Sequence, residues 1–128
     1  MCLADGAGDA GDSRDGRCDS AAGLTVQASG CDGRYTLVLT GELDLRSRPL
    51  LDEALARFRR ESALTLTLDL SGLAFMDSTG LHGVLQAKAI CAETACELIV
   101  VRSSEQVQRL FELSGVLEEL RFADGAAG

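Results

Sequence analysis

From residue 64 onward, strand-like and helix-like periodicities take turns, and that alternation limits the chain to very few architectures. Leu64-Thr65-Leu66-Thr67-Leu68-Asp69-Leu70 carries a leucine at every second position, the pattern of a strand with one apolar face. Asp77-Ser78-Thr79-Gly80 then leads into Leu81, Val84, Leu85, Lys88 and Ala89, which recur at helical spacing. Cys96-Glu97-Leu98-Ile99-Val100-Val101 is apolar enough for an interior strand. Ser103 with Gln106 reads as a capping box for a helix carrying Val107, Leu110, Phe111 and Ser114, closed by Gly115. Upstream, Leu24 to Ala28 and Tyr35 to Leu39 flank the turn Cys31-Asp32-Gly33 and predict a hairpin that Gly41 ends. Ser47 and Pro49 then open a helix with Leu50, Leu51, Ala54, Leu55 and Phe58 on one face. Val116 to Phe122 fits either an edge strand or a short helix.

Strands followed by helices close right-handed crossovers, so the later strands are expected side by side in a mostly parallel α/β sheet, with one antiparallel hairpin. At 128 residues a chain buries roughly 65–70% of its unfolded surface, enough for one core without staples. The domain is placed at residues 24–122. Residues 1–23 hold five Gly, five Ala and five Asp with Leu3 as the one large aliphatic after Met1, and are expected to form a disordered acidic tail. Residues 123–128 are expected to be a short flexible tail. Gly6-Ala7-Gly8-Asp9-Ala10-Gly11 spells GxGxxG, but no strand precedes it and no helix follows, so it is not read as a dinucleotide site.

A net charge of −8 opposes binding to nucleic acid or anionic membranes, and Arg57, Arg59 and Arg60, the densest basic group, sit among Glu53 and Glu61 and read as the solvated side of a helix. Apolar runs such as Leu98 to Val101 fall far short of the ~20 residues a membrane helix needs. Met1 to Asp5 has neither a basic leader nor an apolar stretch, so a cytoplasmic protein is expected. Cys2, Cys18, Cys31, Cys91 and Cys96 contain no CxxC pair and suggest reduced thiols, with no metal site and no cofactor. A monomer is expected, because no apolar edge strand advertises pairing.

The segment Leu68 to Leu81 delivers a strand through a short connection to a helix start, with Ser78 at or beside the N-cap. Asp77, Ser78 and Thr79 are all good helix starters, and capping alone accounts for them. A hydroxyl at that place is also open to a kinase. A phosphoryl group would bring about −1.5 to −2 charges to free backbone N–H groups at the helix start, while Asp77 beside it makes the site strongly anionic toward a docked partner.

Gly41-Glu42-Leu43-Asp44, Asp69-Leu70-Ser71, Phe75-Met76-Asp77-Ser78-Thr79-Gly80-Leu81 and Leu110-Phe111-Glu112-Leu113-Ser114-Gly115-Val116 together resemble the STAS family, in particular its stand-alone anti-sigma factor antagonists. The resemblance spans about residues 24 to 122. It implies a mostly parallel sheet of four or five strands with one antiparallel hairpin, flanked by three to four helices. It also implies partner switching: the unmodified antagonist binds an anti-sigma factor that is a serine kinase, phosphorylation releases it, and a serine/threonine phosphatase restores it. Carried over to this sequence, the phosphoacceptor is Ser78, Asp77, Thr79 and Gly80 complete its motif, and Glu42, Leu43 and Asp44 line the partner-binding face. His82 and the long acidic tail depart from the family pattern, and His82 is placed where it would alter the partner contact.

Two other functions use the same residues. Ser78, His82 and Asp77 are the residue types of a hydrolytic triad, yet Met76 stands where a nucleophile elbow needs Gly, and Ser78 and His82 lie one turn apart on one helix. The chain is therefore not read as an enzyme. A STAS domain can also be a passive interaction module, in a lipid-transport complex or a stress-sensing scaffold, but such a module has no need of Ser78.

Overall fold

The computed structural model describes residues 17–115 and 120–123. Its single sheet has six strands in sequence order: β1 (Arg17–Ala21), β2 (Leu24–Cys31), β3 (Arg34–Leu43), β4 (Thr65–Met76), β5 (Glu97–Val101) and β6 (Phe122–Ala123). Helices α1 (Arg48–Arg59), α2 (Ser78–Glu93) and α3 (Glu105–Ser114) make the three crossovers after β3, β4 and β5. The pairs β3–β4, β4–β5 and β5–β6 are parallel, as the alternation predicts, and β2–β3 is the expected antiparallel hairpin.

Because each parallel strand lies next to its predecessor in one direction, right-handed crossovers put all three helices on one face. The period-2 pattern records this. Leu24, Val26, Leu37, Leu39, Leu66, Leu68 and Leu70 are buried beneath the helices, while Gln27 is exposed and Thr36, Val38, Thr67 and Asp69, on the other face, are half-buried. Leu51, Leu55 and Phe58 of α1, Val84 and Ile90 of α2, and Val107 and Phe111 of α3 complete the core. Tyr35 and Phe58 close one end, with ring centroids 5.4 Å apart, and Phe111 meets Phe122 edge-on at the other, also at 5.4 Å.

Several expectations need correction. The sheet has six strands rather than four or five, and the domain begins before residue 24, since residues 17–21 form β1 instead of belonging to a tail. Ala22 and Gly23, both at positive φ (49° and 87°), make the tight turn that folds β1 back on β2. An edge strand of this kind is held by its backbone ladder and by polar contacts such as Ser20 to Thr25 (3.0 Å) and Arg57 to Asp19 (3.3 Å), so a count of apolar residues does not find it. Residues 1–16 and 124–128, assigned to the tails, and residues 116–119 lie outside the described residues.

The hairpin pairing ends at Gly41, opposite Leu24, as expected, but the strand does not: β3 runs on to Leu43 beside β4, and Ser71 to Met76 is not a connection but the end of β4, with register shifts at Val38/Thr40 and Gly41/Glu42. The cap of α3 is Ser104, which accepts from Val107 N–H at 3.4 Å, while the Ser103 hydroxyl donates instead to the Leu73 carbonyl at 3.3 Å. Cys18, Cys91 and Cys96 are free thiols, as expected, whereas Cys31 is disulfide-bonded.

Candidate functional site

The extended ends of β3 and β4 lie side by side, Glu42 opposite Phe75 and Leu43 opposite Met76, so the two loops that follow emerge together. One leads through Asp44 to α1 and the other through Asp77 to α2. Each loop is fixed by its own short polar side chain.

In the first loop, Asp44 Oδ1 accepts from the N–H groups of Arg46 (3.0 Å) and Ser47 (3.2 Å). Ser47, 1% exposed, was expected to cap α1; its hydroxyl instead donates to the Glu42 carbonyl at 2.9 Å and accepts from Asp44 N–H at 3.0 Å, and it makes no cap bond. It thus holds the end of β3 against the start of α1. In the second loop Asp77 is the N-cap, its Oδ1 accepting from Thr79 N–H at 2.9 Å and Gly80 N–H at 3.1 Å. Ser78 is therefore the first residue of α2, and it is exposed. The N–H groups of Thr79 and Gly80, expected to be free for a phosphoryl group, are already taken by the Asp77 carboxylate.

The loops are also tied to each other. Asp77 N–H donates to the Leu43 carbonyl at 3.3 Å. The Arg48 guanidinium reaches from α1 to the Thr79 carbonyl at 2.9 Å and the Gln86 side chain at 2.8 Å, while its Nε pairs with Asp52 at 2.8 Å. Gly80 sits where these elements converge, because a Cβ there would stand 2.5 Å from Met76 Cγ and 2.9 Å from the Leu43 carbonyl oxygen. The glycine of Asp-Ser-Thr-Gly is thus required by packing.

The structure brings Glu42, Leu43, Asp44, Asp77, Ser78, Thr79 and Gly80 together, but they are not equally accessible. Glu42, Ser78 and His82 are exposed, Asp44, Asp77 and Thr79 half-buried, and Gly80 buried. Leu43 is fully buried, so its side chain supports the site from beneath and is not part of an outer face. Four contributors escaped sequence reading. Ser47 and Arg48 look like ordinary helix-start residues, and their role depends on partners across the fold. Leu45, next to Asp44, and Phe75, opposite Glu42, are 72% and 47% exposed, so they lie outside the core. The break of Leu45 from any buried periodicity was the one available signal.

Replacing Asp77 with Ala should lower unfolding free energy by about 0.5–2 kcal/mol, whereas Asp77→Asn, which keeps a cap oxygen, should remain close to the parent in urea unfolding. Equal losses in both variants would show that the charge, rather than the cap bonds, stabilises the helix start.

Comparison with known proteins places these features in context. The family model of the STAS domain matches residues 25–126. An anti-sigma-B factor antagonist of Staphylococcus aureus is 28% identical over 102 residues, which cover 80% of this chain and 94% of the relative. The crystal structure of an anti-sigma factor antagonist from Mycobacterium paratuberculosis superposes with a TM-score of 0.74 at 22% identity, covering 81% of this chain and 88% of that one. The anti-sigma factor antagonist SpoIIAA in its unphosphorylated form gives a TM-score of 0.65, also at 22% identity, over 80% of this chain and 90% of that one. These two structures share the fold of this chain.

Proposed function

The chain belongs to the STAS domain family, and from that premise we propose that it is an anti-sigma factor antagonist that works by partner switching. In its unmodified form it docks on an anti-sigma factor that is also a serine kinase, and this frees the sigma factor. Glu42, Asp44, Leu45, Phe75 and His82 supply the outer contacts around Ser78. The kinase brings ATP and magnesium and transfers a phosphoryl group to the Ser78 hydroxyl, after which the modified antagonist dissociates. A serine/threonine phosphatase returns it to the binding form. The domain needs no cofactor for this and catalyses nothing; its share is to present one hydroxyl on a rigid helix start.

The observation that carries the reading is the position of Ser78. It is exposed at the first residue of α2, while its neighbour Asp77 is committed to capping. The same engagement argues against a hydrolytic triad, because the Asp77 oxygen that would orient an imidazole already holds two backbone N–H groups.

The test is to incubate the full chain with ATP, magnesium and the candidate anti-sigma kinase, then map any phosphate by mass spectrometry beside a Ser78→Ala control. Phosphate on Ser78 that is absent from the control is the expected result. Binding without phosphate on Ser78 would overturn the switch and leave a passive interaction module.

A further inference from the structure

The far end of α2, remote from Ser78, places two thiols together. The helix is capped at Thr94, Ala95 follows in the left-handed region at φ 57°, and Cys96 N–H donates back to the Cys91 carbonyl at 2.8 Å. This is the 6→1 bond of a Schellman motif, in which the second residue beyond the cap packs against the residue three positions before it. Here both residues of that contact are cysteines. Both thiols are free, and the Cys96 thiol donates weakly to the Glu97 carbonyl at 3.8 Å. Cys91 is the inner member at 2% exposure, and Cys96 is half-buried. Both line a cleft of about 310 Å³ together with Lys88, Leu98, Leu120 and Arg121, so a small oxidant has a route to them.

We propose that Cys91 and Cys96 form a reversible dithiol site that hydrogen peroxide closes to a disulfide. The more accessible Cys96 reacts first. Its sulfur, as thiolate, attacks one peroxide oxygen; the O–O bond breaks, and the departing hydroxide takes up the thiol proton to leave as water, giving a sulfenic acid. The Cys91 sulfur then attacks the Cys96 sulfur, an S–S bond forms, the S–O bond breaks, and hydroxide leaves with the Cys91 proton as a second water. Two thiols lose two electrons and one peroxide becomes two waters. A small dithiol reverses the change through a mixed disulfide and is itself oxidised.

The environment fixes that order. Burial, then the neighbouring Cys96 side chain and its charge, pushes the Cys91 thiol up to about 12, so Cys91 stays protonated and is a poor first nucleophile. Ring closure asks little of the backbone, because the Schellman bond already holds the two residues at the short separation a disulfide requires. The inference is independent of the role proposed for Ser78.

Trypsin releases both cysteines in one peptide, Ala89 to Arg102, which makes the test direct. The full chain is treated with hydrogen peroxide, denatured, alkylated with iodoacetamide and digested. The expected peptide is lighter by two hydrogen atoms and carries no alkyl group, and dithiothreitol before alkylation restores both adducts. In Cys96→Ser, Cys91 should still take its alkyl group after peroxide. If both cysteines of the parent remain alkylatable, or Cys96 accumulates as sulfinic acid while Cys91 stays a thiol, the proposal is wrong. The decisive comparison uses the unaltered chain, so a variant that folds poorly does not affect it.

Discussion

Phosphorylated on Ser78, the protein should bind its anti-sigma kinase about 30-fold to several thousand-fold more weakly than the unmodified form, a loss of ~2–5 kcal/mol. Titration calorimetry of the two forms measures it. An anion at a helix N-terminus is ordinarily welcome, because free N–H groups and the helix dipole receive it. Here Asp77 already occupies the Thr79 and Gly80 N–H groups, so the phosphate competes with a carboxylate instead of being cradled. It therefore projects outward with about −1.5 to −2 charges, next to Glu42, Asp44 and Asp77 and beside the exposed apolar Leu45 and Phe75. A partner covering that face must desolvate the dianion or lift away, while the core beneath is untouched and the domain stays folded. Ser78→Ala should hold the kinase persistently. Ser78→Asp should weaken binding by less than phosphate does, since it adds one charge on a shorter arm. Parent-like binding by both Ser78→Asp and the phosphorylated form would show that charge at Ser78 is not the switch.

What the sequence reveals of this site depends on the range of each interaction. Leu64 to Leu70 shows its one-sided burial directly, because side chains alternate within the strand, and the helix faces of α1 and α3 follow from their own periods. Asp77-Ser78-Thr79-Gly80 marks a helix start by its residue types. Which of them caps it depends on the backbone angle at Asp77, which is extended at φ −109° and ψ −169°, and no residue type specifies that. The continuation of β3 past Gly41 and of β4 to Met76 is hidden for a related reason: each strand survives its register shifts only because the other pairs with it. Arg48 is the extreme case. It contacts Thr79 and Gln86, 31 and 38 residues away, and nothing near Arg48 in the chain announces either partner. β1 leaves no such signal in the sequence, because backbone pairing, unlike burial, leaves little trace in composition.

Gly41→Ala should destabilise the protein by about 2–5 kcal/mol, and Gly115→Ala by about 1–2 kcal/mol, although both glycines sit at positive φ. Gly41 has φ 108° and Gly115 φ 74°, so each substitution carries a left-handed penalty of ~1–2 kcal/mol. Space separates them. A Cβ on Gly115 meets nothing within 4 Å, whereas one on Gly41 would lie 2.2 Å from the Gly23 carbonyl oxygen. That oxygen cannot simply move aside, because it accepts the Glu42 N–H at 3.0 Å and so ties the turn between β1 and β2 to β3. Relieving the overlap must shift one backbone or the other, adding roughly 1–3 kcal/mol of the kind seen on overpacking. Urea unfolding of the two variants reads the difference, and similar midpoints would mean that the Gly23 turn has slack. The shift has a second consequence at the site. Glu42 and Leu43 follow directly, and their carbonyls receive Ser47 Oγ at 2.9 Å and Asp77 N–H at 3.3 Å, so a displaced Gly41 tilts both loops at once. Gly41→Ala, assayed where it is still folded, should therefore bind the anti-sigma kinase more weakly than the parent, while Gly115→Ala should bind equally well. Parent-like affinity in folded Gly41→Ala would show that the loops are positioned by Asp44, Ser47, Arg48 and Asp77 alone.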